Sequence, residues 1–215
     1  MKLRMDYYLK FRIMIKRFFT LIFLYFSIIS FGQASNFPTG VYLNLEQLKT
    51  RTPAYDVNLR IIKRTSGDIF MIGGNDYKIK STIDSINKSY ITKKIFAYVK
   101  NDSLYLNCFP HKLQNWYALC KNTSGNLVTF KACMSLDRAM NVSIIGGGIG
   151  SGIAATKRFL YVLNLANGEI FQLTEKNLLN LLNNKRELQL LYEKETDRTS
   201  EQQLLKYIDQ LNLNQ

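Results

Sequence analysis

Hydrophobic and polar residues alternate with a period of two over much of the segment between residues 40 and 134. Leu104, Leu106 and Cys108 alternate with Tyr105 and Asn107, which is typical of a strand with one buried face and one wet face. The sequence therefore predicts a series of short antiparallel strands. Further runs of this kind cover residues 57–64, 68–72, 77–80, 95–100 and 126–134.

Two sequences indicate the turns of β-hairpins. The run IFAYVKNDSLYLNC reverses direction at Asn101-Asp102, and FLYVLNLANGEIFQL does so at Asn167-Gly168. Asn-Gly favours a two-residue type I′ turn, which requires a positive φ at both positions. Because residues 159–165 are apolar on both faces, we expect this strand to lie centrally and to be covered on both sides.

Helix signals flank the predicted strands. Asn44 can cap a short helical turn over residues 45–49. Near the other end, Thr174 can cap a helix that Asn183-Asn184 interrupts, and leucines at helical spacing follow. Ser200 can cap the last helix. The leucines of these helices are expected to pack on the sheet.

These elements predict an α+β fold: an antiparallel β-sheet, as a meander or partly closed barrel, followed by a C-terminal helical segment. The expected organisation is a signal peptide at residues 1–32, a β-rich domain at residues 33–173 and C-terminal helices at residues 174–215. A glycine-rich apolar crossover at residues 144–156 is expected to join the earlier strands to the final hairpin.

The crossover sequence, IIGGGIGSGIAAT, has three interpretations. A dinucleotide-binding loop is disfavoured, because too little chain follows to supply the remaining parallel strands of such a fold. Gly146, Gly150 and Ala154 recur every four residues, which indicates a self-packing or membrane-contacting helix. The favoured interpretation is an apolar crossover that packs closely on the sheet. Whether it is a loop or a helix stays open.

The first 32 residues have the pattern of a signal peptide. A basic stretch ends at Lys16-Arg17, and the uncharged run FFTLIFLYFSIISFG follows. This run is short for a membrane span but suits the apolar core of a signal peptide. A start at Met14 would give a compact signal. We therefore expect an exported protein that is periplasmic, envelope-associated or secreted.

Positive charge dominates the chain, whose formal net charge is +13. The excess lies before residue 175, so the β-rich part can meet an acidic envelope surface, for example lipid headgroups or polysaccharide. However, the densest runs are only Lys63-Arg64 and Lys93-Lys94, so solubility is the simpler explanation. Nucleic acid is disfavoured as a partner, no nucleotide is expected, and membrane contact through residues 144–156 is a weaker alternative.

Metal or nucleophile chemistry has few candidates in this sequence. His111, the single histidine, stands beside Pro110 and is expected in a loop. Cys108, Cys120 and Cys133 are an odd number of cysteines without a CxxC motif. Whether any two of them pair stays open.

Four aspartates near predicted turns are candidates for a carboxylate pair of the kind that glycosidases use: Asp68, Asp76, Asp84 and Asp102. Asp is common in turns because its side chain bonds to nearby backbone, and this is the ordinary explanation. The sequence thus indicates no catalytic, cofactor-binding or metal-binding residue, and it implies no cofactor.

Several segments together form a familiar pattern: GVYLNLEQLKTRTP, GGNDYKI, FAYVKNDSLYLNC, the glycine-rich crossover, FLYVLNLANGEI and LLKYIDQLN. The pattern resembles an uncharacterised family of exported proteins from Bacteroidota-type bacteria, over nearly the whole mature chain. The resemblance implies export and a domain of unknown function, and it brings no catalytic residues.

Taken together, the sequence favours an exported, non-enzymatic binding or envelope-associated module. One alternative is an enzyme that acts on envelope polymers. Another is a membrane-associated protein that packs on itself through residues 144–156.

We predict that the signal is removed before Gln33 or Ser35, because small residues precede both positions and the apolar core is short. The intact mass of the exported protein measures this directly. A mass that retains residues 14–32 would contradict the prediction.

Overall fold

The structure is a computed structural model that describes residues 37–83, 85–121, 123–134 and 156–214. All structural statements below concern these ranges. The expected signal peptide lies outside them, and so does the glycine-rich crossover apart from Thr156.

The described residues form one antiparallel sheet, followed by C-terminal helices, so the predicted α+β class is confirmed. The sheet is open rather than closed. Its nine strands within the described ranges are β1 Gly40–Tyr42, β2 Arg60–Lys63, β3 Tyr77–Lys80, β4 Ala97–Lys100, β5 Ser103–Asn107, β6 Tyr117–Lys121, β7 Leu127–Cys133, β8 Arg158–Asn164 and β9 Ile170–Gln172.

Within the described ranges, three short helices interrupt the strands and three follow them. The predicted caps are confirmed, because the side chains of Asn44, Thr174 and Ser200 each accept a hydrogen bond from a backbone N–H of the first helical turn. The helices are α1 Leu45–Thr50, α2 Ser66–Ile72, α3 Lys88–Lys93, α4 Glu175–Leu182, α5 Arg186–Glu193 and α6 Glu201–Leu213, with a 3₁₀ turn at Phe109–His111.

Strand β6 is the branch point of the sheet. The main order is β1-β4-β5-β6-β7-β8-β9, and one edge of β6 pairs with β5. Along its other edge, Cys120 and Lys121 pair with β7, whereas Tyr117 pairs with Tyr77 of β3. The β2–β3 hairpin therefore leaves the main sheet at the start of β6. Residues 134–157 connect β7 and β8, which are antiparallel neighbours.

One hydrophobic cluster has members on β1 and on every strand from β4 to β8, so the sheet wraps around it. Leu48 of α1 also belongs to this cluster and is fully buried. Its largest buried rings are Tyr42, Phe130 and Tyr161, of which the last two stack at 5.7 Å between centroids. Burying such a side chain contributes about 1.5–3 kcal/mol, so this cluster holds the strands together.

A second cluster lies between the C-terminal helices and the opposite face of β7 and β8. Val162 belongs to it, whereas its neighbours Tyr161 and Leu163 belong to the first cluster. Strand β8 is therefore covered on both faces, as its sequence predicted, but it lies next to the edge strand β9 rather than at the centre of the sheet. The Asn212 side chain fixes α6 to the sheet, because it bonds both the N–H and the carbonyl of Leu127 at 2.9 Å.

A third cluster joins the β2–β3 hairpin and α3 to the outer face of the sheet. Ile79 of β3, Ile91 of α3 and Tyr117 of β6 are its members nearest to the branch point. The hairpin and α3 therefore stand together beside β6.

The strand predicted at residues 68–72 is wrong, because this segment is helix α2. Thr65 and Asp68 form a capping box, in which each side chain accepts a hydrogen bond from the other residue's backbone N–H. This local signal outweighs the β propensity of the apolar residues. Phe70, Met71 and Ile72 are consequently exposed, and α2 has no buried residue.

Both predicted hairpins are present, but one turn differs from the prediction. Asn101 and Asp102 have φ values of 49° and 54°, as a type I′ turn requires. In the β8–β9 hairpin Gly168 has φ 78°, whereas Asn167 is not among the described residues with a positive φ. Its loop is longer than two residues, because the Gly168 N–H donates to the carbonyl of Asn164 at 2.7 Å.

We predict that Gly168→Ala lowers the free energy of unfolding by about 1–2 kcal/mol. Residue 168 has a positive φ, which strains any residue with a Cβ, and the added Cβ would overlap the Leu45 side chain. The matched control is Gly67→Ala in α2, where a Cβ meets only the Thr65 hydroxyl at 3.9 Å. Urea unfolding of both variants measures the difference. Equal midpoints would contradict the prediction.

Candidate functional site

A cleft of about 380 Å³ opens between the β2–β3 hairpin and helix α3, and we call it the hairpin–helix cleft. This volume lies in the range of ligand-binding pockets. Apolar side chains form its floor, and lysines stand around it. The lining residues are Lys78, Ile79, Lys80, Lys88, Ile91, Thr92, Asn107, Trp116 and Tyr117.

The floor of the cleft is fixed by hydrogen bonds to the end of α3. The buried Asn107 side chain donates to the carbonyls of Thr92 and Ile95, both at 2.7 Å. The Tyr117 hydroxyl donates to the Ile91 carbonyl at 2.6 Å, and burial raises the pKa of this phenol. These bonds satisfy carbonyls that a helix end leaves without partners. The wall that α3 forms is therefore rigid.

Trp116 carries two cations against its ring. The guanidinium carbon of Arg64 lies 3.7 Å from the ring centroid, and the Lys78 ammonium lies 4.7 Å from it. Cations at such distances are attracted by the ring quadrupole. Lys78 is therefore held at the edge of the cleft, instead of extending into solvent.

None of the three cleft lysines, Lys78, Lys80 and Lys88, has an ion-pair partner within 4.0 Å among the described residues. Lys78 acts on Asp68 only weakly, because the pKa of Asp68 is lowered mainly by hydrogen bonds to Thr65 and only secondarily by Lys78. Concave surfaces that carry one sign of charge concentrate the opposite sign. The cleft therefore favours negatively charged groups.

A second cleft, of about 590 Å³, lies on the other side of the β2–β3 hairpin, against the β4–β5 hairpin, and we call it the inter-hairpin cleft. Its cations are Arg60, Lys63 and Lys100. Lys100 is oriented by the Asn58 side chain at 2.6 Å and by the Leu59 carbonyl at 3.0 Å. The other lining residues are Asn58, Ile61, Tyr77, Thr82, Asn101 and Tyr105.

The β2–β3 hairpin is the ridge between the two clefts. Its register places Arg60 directly opposite Lys80, and these residues line the inter-hairpin and hairpin–helix clefts, respectively. Like charges in such a pair are destabilising. The facing positive charges of Arg60 and Lys80 therefore do not stabilise the hairpin.

A buried polar junction holds the base of this ridge. Asn75 is fully buried, and its side-chain amide donates to the carbonyls of Leu113 and Asn115 at 2.7 and 3.1 Å. Its side-chain oxygen accepts from the N–H of Cys133 at 2.8 Å. One side chain therefore links the turn before β3 to the loop before β6 and to the end of β7.

Two arginines complete the junction. Arg64 donates to the carbonyls of Gly73 and Asn75 at 2.6 and 2.8 Å. Arg158 forms an ion pair with Asp76 at 2.6 Å and also donates to the Gly74 carbonyl at 3.1 Å. Charged donors strengthen such bonds. The turn at residues 73–76 is thus held from β2 and from β8.

The aspartates that the sequence offered as catalytic candidates lie apart from the clefts. Asp68 caps α2, Asp76 pairs with Arg158, and Asp102 forms the β4–β5 turn. None of these three lines either cleft. Asp84 lies outside the described residues. Each described candidate therefore has a structural role, as turn and cap chemistry predicts.

Histidine and cysteine are likewise embedded in the fold. His111 ends the 3₁₀ turn, its ring lies 5.4 Å from that of Phe96, and burial lowers its pKa. The three cysteines are free and buried. Burial raises the pKa of Cys120 to about 12 and that of Cys108 well above its usual value. These two thiols are therefore poor nucleophiles.

We predict that Asn75→Ala lowers the free energy of unfolding by about 3 kcal/mol, because it leaves a buried N–H and two carbonyls without this partner. The control is Asn183→Ala at the exposed end of α4. Urea unfolding of both variants measures the effect. A loss at Asn75 no larger than at Asn183 would contradict the prediction.

Over the described ranges, no helix is long and apolar enough to cross a membrane, and no three His, Cys, Asp or Glu residues are grouped as metal ligands.

No curated protein and no solved structure matches the chain. Residues 40–215, from β1 to the end of the chain, match a protein family described as a family of unknown function, DUF6563. The chain therefore belongs to this family.

Proposed function

We propose that this protein is an exported binding module of the cell envelope, which holds anionic groups of an envelope polymer or surface in the hairpin–helix cleft. The observation that carries the proposal is the positive charge of Lys78, Lys80 and Lys88 around an apolar floor, where no described acidic residue forms an ion pair with them. Lysine binds carboxylate and phosphate groups as a point charge.

The remaining lining residues favour recognition over chemical conversion. Asn107 and Tyr117 are engaged in holding α3, and Thr92 adds a hydroxyl at the wall. Ile79 and Ile91 offer apolar contact to the body of a ligand. Such a mixture of apolar floor and few polar groups is common in ligand sites.

Export is supported by the first 32 residues, which have the basic stretch, short apolar core and small residues of a signal peptide. The envelope outside the cytoplasmic membrane presents acidic polysaccharides and lipid headgroups. The positive charge of the β-rich part suits such surfaces.

The test uses the mature chain from residue 33 in isothermal titrations with trigalacturonate, a carboxylated probe, and with glycerol 3-phosphate. We expect at least one probe to bind. We expect the triple variant Lys78→Gln, Lys80→Gln, Lys88→Gln to bind it at least about tenfold more weakly, since three charged contacts contribute about 0.5 kcal/mol or more each.

The control variant carries Lys176→Gln, Lys185→Gln and Lys194→Gln, which removes the same charge from exposed positions on the C-terminal helices. It should bind as the unmodified protein does. Absence of binding to both probes, or an equal loss in both triple variants, would contradict the proposal. Release of a shorter or modified product from an envelope polymer would favour an enzyme instead.

A further inference from the structure

We propose that the two clefts act as one extended site, in which a linear acidic polysaccharide crosses the β2–β3 hairpin from the hairpin–helix cleft to the inter-hairpin cleft. This inference rests on the proposed function and names its ligand class.

The register of the hairpin provides the bridge between the clefts. Arg60 and Lys80 are directly opposite each other across β2 and β3, so their Cβ atoms are about 5 Å apart and project from the same face. One of them lines each cleft. A negative group placed between them would contact both cations, and the chain on either side of it would enter both clefts.

The lining residues on both sides have the same chemical character. The hairpin–helix cleft has three lysines, the inter-hairpin cleft has one arginine and two lysines, and none of the acidic residues that the structure describes lines either cleft. Neutral hydrogen-bonding groups, such as Thr92 in the first cleft and Thr82 and Asn101 in the second, stand among these cations. Alternating carboxylates and hydroxyls along a polysaccharide match this arrangement.

The aromatic side chains argue against nucleic acid. Proteins that hold single strands stack successive bases on exposed aromatic rings. Here Arg64 and Lys78 lie against the Trp116 ring, and Tyr77 packs edge-on against Tyr105 at 5.1 Å. Tyr117 is buried. The rings of the clefts are therefore engaged with protein groups.

The shape of the site argues against a lipid surface. Proteins that lie on a membrane present their cations beside an apolar face that enters the headgroup region. Here the six cations line two concave clefts on either side of a ridge. A flexible linear chain can follow such a surface, whereas a planar bilayer cannot enter both clefts.

The test compares a short with a long chain of the same sugar. Isothermal titrations use trigalacturonate and dodecagalacturonate with the mature protein and with the double variant Arg60→Gln, Lys63→Gln. If both clefts are engaged, the unmodified protein should bind the long chain about a hundredfold more tightly than the short one. The double variant should lose most of this gain and keep its affinity for the trimer.

A double variant at Lys93 and Lys94, both changed to Gln, is the control. It removes the same charge from exposed positions that line neither cleft, so it should keep the gain from chain length. Thermal unfolding of each variant checks that it is folded. The variant Arg60→Lys, Lys63→Arg keeps both positive charges, so it should show the same gain in affinity with chain length as the unmodified protein.

The outcomes separate the two proposals. In one outcome the trimer binds, the triple lysine variant binds it more weakly, and the Arg60 and Lys63 changes weaken the binding of trimer and dodecamer by the same factor or leave both unchanged. The extended site is then wrong and the proposed function stands. If neither oligomer binds, the extended site is wrong, and the proposed function is wrong as well if glycerol 3-phosphate also fails to bind. Tighter binding to a twelve-nucleotide single strand or to phosphatidylglycerol vesicles than to the dodecamer would overturn the polysaccharide assignment.

Discussion

The position of the β2–β3 hairpin depends on the buried side chain of Asn75. Among the described residues, the ladder between the hairpin and the main sheet is a single residue pair, Tyr77 with Tyr117. The Asn75 side chain adds buried hydrogen bonds to the carbonyl of Leu113 and the N–H of Cys133, and a partly buried one to the carbonyl of Asn115. Because buried bonds of this kind are costly to leave unmade, they fix the hairpin at a defined place. Both clefts take their shape from that place.

Charge is distributed unevenly over the fold, and the distribution distinguishes the hairpin from the helices. In the C-terminal part, Glu175 pairs with Arg198, and Glu195 pairs with Lys206. Around the hairpin, by contrast, Arg60 faces Lys80 without an ion-pair partner among the described residues. The helices thus neutralise their charge internally. The described cations of the hairpin therefore retain a positive field, which attracts anions.

Much of the fold could be predicted from local signals, and its branch point could not. Caps, the Asn101-Asp102 turn and the two-sided apolar character of β8 are properties of short segments, and the structure confirms them, whereas the turn at Asn167-Gly168 is longer than predicted. Strand β6 has the sequence YALCK, which shows little alternation because β6 has neighbours on both edges and buried residues on both faces. Helix α2 was mistaken for a strand, since the capping box of Thr65 and Asp68 outweighs the apolar run after it.

The basic clefts could not be predicted from the sequence, for a different reason. Charge runs indicated Lys63-Arg64 as a dense pair, yet Arg64 turns inward to Trp116 while Lys63 lines a cleft. The cations that do gather come from β2, β3, α3 and β4, and only the register of paired strands brings them together. Run length along a chain cannot detect such a site, because neighbouring strands place residues side by side that are distant in sequence.

The loop before β6 holds Trp116 with a strained backbone. Lys112, Gln114 and Trp116 have φ values of 59°, 65° and 73°, in the left-handed region that costs non-glycine residues on the order of 1 kcal/mol each. A Cβ at Gly74 would overlap the Trp116 ring, so the facing turn is also restricted to glycine. These backbone constraints position a half-buried Trp116, and Arg64 and Lys78 lie against its ring. The αL backbone of Lys112 caps the 3₁₀ turn, and the buried side chain of Gln114 bonds the Gly74 N–H and the Met134 carbonyl, so these contacts hold the strained loop that positions the Trp116 ring.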